Sequence, residues 1–294
     1  MKRTGLIMII LACVLVSSCS NRSGENEIYV ISRENGSGTR SVFVGLFGII
    51  DDEGYDATTG YAEKTTSSSV LITTVAGNKS SIGYVSFGSL SDSVKTVSVD
   101  GEEPTAENIK NGRYKLYRPF NICFKESQSE LSKDFVSFIL STDGSKIIEK
   151  EGLIATSNHT HSYSPTGLSG KLTLSGSTSV SPVIDRLADE YKKSNPGVEI
   201  EIQQSGSGAG IQSAESGISD IGMSSRDLTA GESQRLISIN IAYDGIAVVI
   251  NKNNSIDNLY SEEIRDIYLG KLTNWKDLML SRRGGIYDSI EKTK

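Results

Sequence analysis

The sequence predicts an α/β protein built on a parallel, doubly wound sheet. From residue 170 onward, runs of strand character alternate with runs of helical character. Three times a strand passes through a glycine- and serine-rich turn into a helix, at NGSGTR (35–40), SGSTSVSP (175–182) and SGSGAGI (205–211). With 294 residues, the chain is long enough for two lobes with substantial cores.

Taken in order, EIYVIS (27–32) predicts a strand, and SVFVGLFGII after the first glycine turn predicts a helix opening at Ser37 or Thr39. TTSSSVLITTVA followed by GNKSSIGYVSFGSL predicts a short helix, a turn and a strand through Ile82 to Phe87. VKTVSV (94–99) and YKLYRPFNICF (114–124) predict further strands, with Pro119 calling for a bend or an edge position in the second. Leu131, Phe135, Phe138 and Ile139 recur at helical spacing. Residues 156–170, TSNHTHSYSPTGLSG, lack apolar periodicity and predict a linker or long surface loop. The strand KLTLSGS, the amphipathic helix VSPVIDRLADEYKKSNPG and the alternating strand VEIEIQQ follow. DIGMSSRDL, NIAYDGIAVVIN, a helix around SEEIRDIYLG and TNWKDL complete the series.

The first residues predict an export signal. Met1-Lys2-Arg3 is basic, and GLIMIILACVLV (5–16) is apolar but too short for a permanent membrane span. Val16-Ser17-Ser18-Cys19 resembles the lipobox of bacterial lipoproteins, which makes Cys19 the expected lipidation site and 20–25 a solvated tether. A plain secretory signal is the other reading of the same residues. Once Cys13 leaves with the signal and Cys19 carries lipid, only Cys123 remains, so the mature chain has no partner for a disulfide. Cys123 lies in an apolar strand and reads as an inert core thiol.

The net charge of −6 argues against nucleic acid or an anionic membrane surface as a partner. An anion site must therefore work through local geometry. Each of the three turns has the form for it. A helix N-terminus offers unpaired N–H groups and the positive end of a dipole, glycine allows close approach, and Ser and Thr add hydroxyl donors. One such turn alone reads as an ordinary N-cap; three in one chain, with Arg33 beside the first, read as converging donors around an oxyanion. NGSGTR lacks the Gly-Lys-Ser/Thr ending of a nucleotide loop, and SGSGAG has the wrong spacing for a dinucleotide fingerprint. The two histidines, His159 and His161, fall in the linker, so a serine nucleophile lacks a base. No Cys/His/Asp grouping suggests a metal, and no cofactor is expected.

The motifs GKLTLSGSTSVSPVIDRLADEYKKSNPGVEIEIQQSGSGAGI, SDIGMSSRDL, IAYDGIAVVINKNN and GKLTNWKDL resemble the N-terminal half of the phosphate-binding proteins of ABC importers. ISRENGSGTR, GNKSSIGYVSFG and LSKDFVSFILSTDGSKIIEKEGL resemble the C-terminal half. The resemblance implies a two-lobed Venus-flytrap fold, the type II periplasmic-binding-protein fold, with the ligand in a cleft between lobes. It implies phosphate contacts from Arg33, Ser37, Gly38, Thr39, Thr178, Ser179, Ser207 and Ser225. Some family members carry an aspartate where Ser225 stands, which accepts a proton from bound phosphate; here the next residue is Arg226. The implied role is a monomeric, lipid-anchored extracytoplasmic receptor that passes inorganic phosphate to a membrane permease, without catalysis. The alternatives are a non-transporting surface sensor or interaction protein, a damaged or recombined copy, and, as an enzyme, a phosphatase.

Relative to the family the halves stand in exchanged order, as in a circular permutation joined through 156–170. Chain breaks in exposed loops are the ones folds tolerate. The expected division is 1–19 as signal, 26–125 plus 244–294 as one lobe, and 126–243 as the other, with crossings near Lys125 and Tyr243. The family pattern is expected to stop after Leu278, leaving MLSRRGGIYDSIEKTK (279–294) without an assigned place.

Overall fold

The computed structural model describes residues 26–156 and 161–283. The signal, Cys19, the tether, His159 and the last eleven residues (284–294) lie outside them. The first stretch holds β1 (Tyr29–Arg33), α1 (Gly38–Phe47), β2 (Glu63–Thr65), α2 (Ser68–Gly77), β3 (Ser81–Ser86), β4 (Val94–Thr96), β5 (Ser98–Val99), α3 (Ala106–Lys110) and β6 (Tyr117–Phe124). The middle holds α4 (Glu130–Ile139), α5 (Thr142–Lys150), β7 (Ile154–Ala155), β8 (Gly170–Gly176), α6 (Ser181–Ser194), β9 (Val198–Gln204), α7 (Ser207–Ser216), β10 (Ile221–Ser224), α8 (Ala230–Ser233) and β11 (Ile237–Asn251). β12 (Asn258–Leu259), α9 (Ser261–Tyr268) and α10 (Trp275–Arg283) follow.

The main sheet runs in the order β2-β1-β3-β11-β6-β10-β8-β9. Its two ends are parallel, β2-β1-β3 and β10-β8-β9, as strand–helix–strand crossovers require. Its middle is antiparallel, because β11 pairs against β3, β4, β6 and β7, and β6 pairs against β10. The sheet is therefore mixed, where the alternation of strands and helices in the sequence predicts a parallel, doubly wound one. The departure comes from β11, a fifteen-residue strand that serves both halves of the molecule.

Two large cores divide the molecule into lobes. One gathers Ile28, Phe43, Tyr84, Leu116, Ile246, Ile267 and Leu278 among others; the second gathers Phe120, Phe135, Leu172, Leu187, Tyr191, Met223 and Ala242. The chain thus crosses between Leu116 and Phe120 and again between Ala242 and Ile246. The second crossing falls at Tyr243. The first lies before Lys125, because Phe120, Ile122 and Phe124 alternate into the second core, so β6 belongs mostly to that lobe. Pro119 sits opposite Tyr243, whereas β10 reaches only to Asn121, so β6 is an edge strand on that side at the proline.

The loop after residue 160 is fastened down. Tyr163 packs edge to face on Phe138, its hydroxyl donates to Asp134 Oδ2 at 2.6 Å, and Tyr191 donates to the same oxygen at 2.6 Å. Past Leu278, α10 continues to Arg283, and Arg282 Nε reaches the fully buried Glu263 at 2.8 Å. The tail through α10 is part of the first lobe. Cys123 is a buried free cysteine, and burial pushes its thiol up to about 12, which keeps it protonated at neutral pH.

Candidate functional site

Four helices of ten or more residues begin at the seam between the lobes: α1 and α2 from the first, α6 and α7 from the second. Each follows a strand through a turn of small residues. Ser37 caps α1, its Oγ accepting from Arg40 N at 3.4 Å, and Ser67 caps α2, accepting from Val70 N at 3.2 Å. Ser177 O accepts from Val180 N and Ser181 N as α6 starts. Gly206 stands before α7 at φ +88, a conformation that a side chain would strain.

β1 delivers Arg33 to this seam, and an aromatic group fixes the end of that strand. Tyr84 stacks on Phe43 at 3.9 Å, and its oxygen meets Ser32 Oγ at 2.9 Å and accepts from Arg33 N at 3.3 Å. Tyr268, packed on the same Phe43, donates to Ile31 O at 3.1 Å. Burial pushes the Tyr84 phenol up to about 12, so it stays neutral. Arg40 holds the loop from behind, donating through Nη1 to Arg33 O and Asn35 Oδ1, each at 2.9 Å, and through Nε to Asp56 Oδ2 at 2.7 Å.

All eight residues named from the sequence are buried, and they come from both lobes to one place. Arg33 Nη2 donates to Thr178 Oγ1 at 3.1 Å, and Thr39 Oγ1 lies 3.1 Å from Ser179 Oγ. Ser225 Oγ lies 3.2 Å from Ser207 Oγ, and Ser225 N donates to Ser207 Oγ at 3.1 Å. Gly38 joins the groups: a Cβ built there would stand 2.6 Å from both Ser207 Oγ and Ser225 Oγ. The backbone closes the same seam, Gly208 N donating to Gly36 O at 3.1 Å.

Two further hydroxyls belong to this cluster. Ser68 Oγ accepts from Arg33 Nη1 and lies 3.3 Å from Ser179 Oγ. Ser177 Oγ donates to Ser225 Oγ at 3.0 Å. Ser68 had a legible signal, since TTSSSV also runs from a strand through small residues into a helix, but without glycine it reads as a plain N-cap. The Arg33 fork is held side-on by its neighbour, Nε to Glu34 Oε2 and Nη2 to Glu34 Oε1, both at 2.8 Å. This leaves the far edge of the guanidinium directed at Ser68 and Thr178. Hydroxyls, first-turn amides and one oriented cation make a set that donates to every corner of a small oxyanion.

The hollow on the outer face of the second lobe, between α5 and α6, has no such convergence. Its cations pair locally, Lys193 with Glu190 at 2.6 Å and Arg186 with Glu151 at 3.6 Å. His161 lies at that side too, its carbonyl accepting from Thr142 N at 2.9 Å.

Comparison with known proteins agrees with this architecture. A family model described as a PBP superfamily domain matches residues 20–143 and 161–289. The phosphate-binding protein PstS 2 of Streptococcus agalactiae serotype V is 45% identical over 273 residues, covering 90% of this chain and 93% of that protein. PstS 2 of Streptococcus pneumoniae serotype 4 is 42% identical over 269 residues, covering 90% and 92%. The crystal structure of a phosphate-binding protein of a phosphate ABC transporter from Streptococcus pneumoniae TIGR4 superposes with a TM-score of 0.69. It is 42% identical, covering 85% of this chain and 99% of that one. Matches of this length place the segments in the same order in these relatives as here. The chain belongs to the periplasmic-binding-protein superfamily and, within it, to the PstS family of ABC-importer binding proteins.

Proposed function

We propose that the chain binds inorganic phosphate between its lobes outside the cytoplasm and passes it to the permease of an ABC importer, held at the membrane by lipid on Cys19. The single observation that carries the site is the Arg33–Thr178 bond, which joins the two lobes inside a cluster of buried hydroxyls. The PstS 2 relatives, named as phosphate-binding proteins, support phosphate as the ligand. The lipobox-like Val16-Ser17-Ser18-Cys19 supports the anchor.

Recognition in this reading is by hydrogen bonds in a dry seam, where bonds to a charged group are stronger than in water. Ser225, with Ser177 and Ser207 around it, takes the place of a carboxylate, and a hydroxyl can both donate to and accept from the anion. The order of segments shared with the relatives, and Arg282 on the buried Glu263, weigh against a damaged copy.

Isothermal titration of the chain with phosphate tests the proposal. Saturable heat and a rise in melting temperature are expected. No heat and no stabilisation at millimolar phosphate would reject it. Mass spectrometry of the membrane-extracted protein tests the anchor: an acylated N-terminal peptide beginning at Cys19 is expected, and an unmodified one removes that part.

A further inference from the structure

The two strands that cross between the lobes meet in one directly opposed pair, Arg118 on β6 and Asp244 on β11. Their chain neighbours Tyr117 and Tyr243 lie on the outer face, 42% and 40% exposed, with rings edge to face at 5.8 Å. Strand alternation sends Arg118 and Asp244 the other way, to the inner side of the crossing, and both side chains are fully buried.

The bonds of this pair are unevenly shared. Arg118 Nε and Nη2 donate to Asp244 Oδ2 at 3.1 and 3.0 Å. Asp244 Oδ1 accepts from Ser86 Oγ at 2.8 Å and Phe87 N at 3.1 Å. The guanidinium carbon lies 5.3 Å from the centre of the Phe120 ring, which covers one face. Among the described residues, Arg118 Nη1 has no hydrogen-bond partner. A buried N–H of a cation without an acceptor is costly, so its retention points to an acceptor that belongs there.

Arg33 identifies that acceptor. Arg33 ends β1, which runs parallel to β3 with Val30 opposite Ile82, and the end of β3 holds Ser86, which donates to Asp244. Burial lowers the Arg118 pKa, and the charge on Arg33 lowers it further against the opposing effect of Asp244. Each guanidinium is already balanced by one carboxylate, Glu34 or Asp244, and two cations facing one dry space favour an anion of higher charge between them.

We propose that Arg118 is a second guanidinium of the anion site, presenting Nη1 from the hinge side to a doubly charged tetrahedral oxyanion that Arg33 holds from the first lobe. This rests on the reading of the seam as an anion receptor. Asp244 takes the other edge of the fork and offsets part of the charge that Arg118 would otherwise present to the ligand. The ligand class is the tetrahedral dianions, with hydrogen phosphate as the probe.

The test is titration with phosphate, at a pH where it is dianionic, of the unaltered chain, Asp244→Asn and the double variant Arg118→Gln/Asp244→Asn. The double variant strands no charge, so a loss of affinity in it reports the missing guanidinium. About tenfold or greater weakening is expected in the double variant. Tighter binding is expected in Asp244→Asn, which leaves Arg118 with its full charge. Unweakened binding by the double variant overturns the inference while leaving the receptor reading intact. No heat from the unaltered chain rejects both. If the double variant does not fold by circular dichroism, Asp244→Asn decides: weaker binding overturns the inference and tighter binding upholds it.

Discussion

Arg33 Nη2 donates to Thr178 Oγ1 at 3.1 Å, although 145 residues separate them and their chain neighbours Val30 and Val180 pack into different hydrophobic cores. A bond of this kind forms only when the lobes are closed on one another. The groups that the account assigns to the ligand are therefore also the groups that meet when the seam shuts, and ligand affinity and lobe closure are coupled.

Removing the cation tests the centre of the site. Arg33→Ala is expected to weaken phosphate binding by about 2–5 kcal/mol, the range for truncating one partner of a buried charge pair. Ser207→Ala, which removes one neutral donor, is expected to cost about 1–3 kcal/mol. Titration calorimetry measures both. A change under a few tenths for Arg33→Ala would place that side chain away from the ligand.

Gly38→Ala tests the closure. The added methyl would stand 2.6 Å from Ser207 Oγ and Ser225 Oγ and 3.0 Å from the Ser225 carbonyl carbon, across the seam. The lobes are expected to stay apart, with binding weakened by about 1–3 kcal/mol. Small-angle scattering with phosphate present is expected to show a larger radius than the unaltered chain. An unchanged radius and affinity would show that the seam has slack.

Arg282 tests whether the end of α10 belongs to the fold. Its partner Glu263 is fully buried, and Arg282 also donates to Asn258 O at 2.9 Å. Arg282→Ala is expected to destabilise the chain by about 3–5 kcal/mol, because a buried carboxylate loses its cation. Urea unfolding measures it, and a loss below about 0.5 kcal/mol would contradict the place given to the tail.

Glu232 gives a pH dependence. Its hydrogen bonds from Arg226, at 2.8 and 2.9 Å, bring its pKa from 4.5 down to about 2, against the opposing effect of burial. The folded carboxyl binds protons less readily than the unfolded one. Its contribution is therefore whole above about pH 4.5 and is lost as the pH falls toward about 2. Glu232→Gln is expected to cost on the order of 1–3 kcal/mol at about pH 6, with the gap to the unaltered chain closing at about pH 2. A gap of constant size across that window would rule out the ion pair as its source.

Local chemistry made most of the site legible. Ser37 and Ser207 stand at helix starts after glycine turns, and that pattern is written within six or seven residues. Ser68 was harder to single out because its turn carries only Ser and Thr, and its role depends on Ser179, 111 residues away. Arg118 and Asp244 carry no local signature at all; their pairing follows from the register of β6 on β11 across 126 residues. The first crossing was misplaced for a related reason. A strand that starts at one core and ends in another shows the same alternation throughout, so YKLYRPFNICF does not mark where it changes lobes. Likewise the parallel pattern of the outer strands says nothing of a long central strand running against them.

The central claim is tested most directly by the crystal structure of the chain grown with phosphate. The account predicts one tetrahedral anion between the lobes, within hydrogen-bonding distance of Arg33, Thr39, Thr178, Ser179 and Ser207. An anion bound elsewhere, with Arg33 and Thr178 facing each other and no ligand between the lobes, would contradict it.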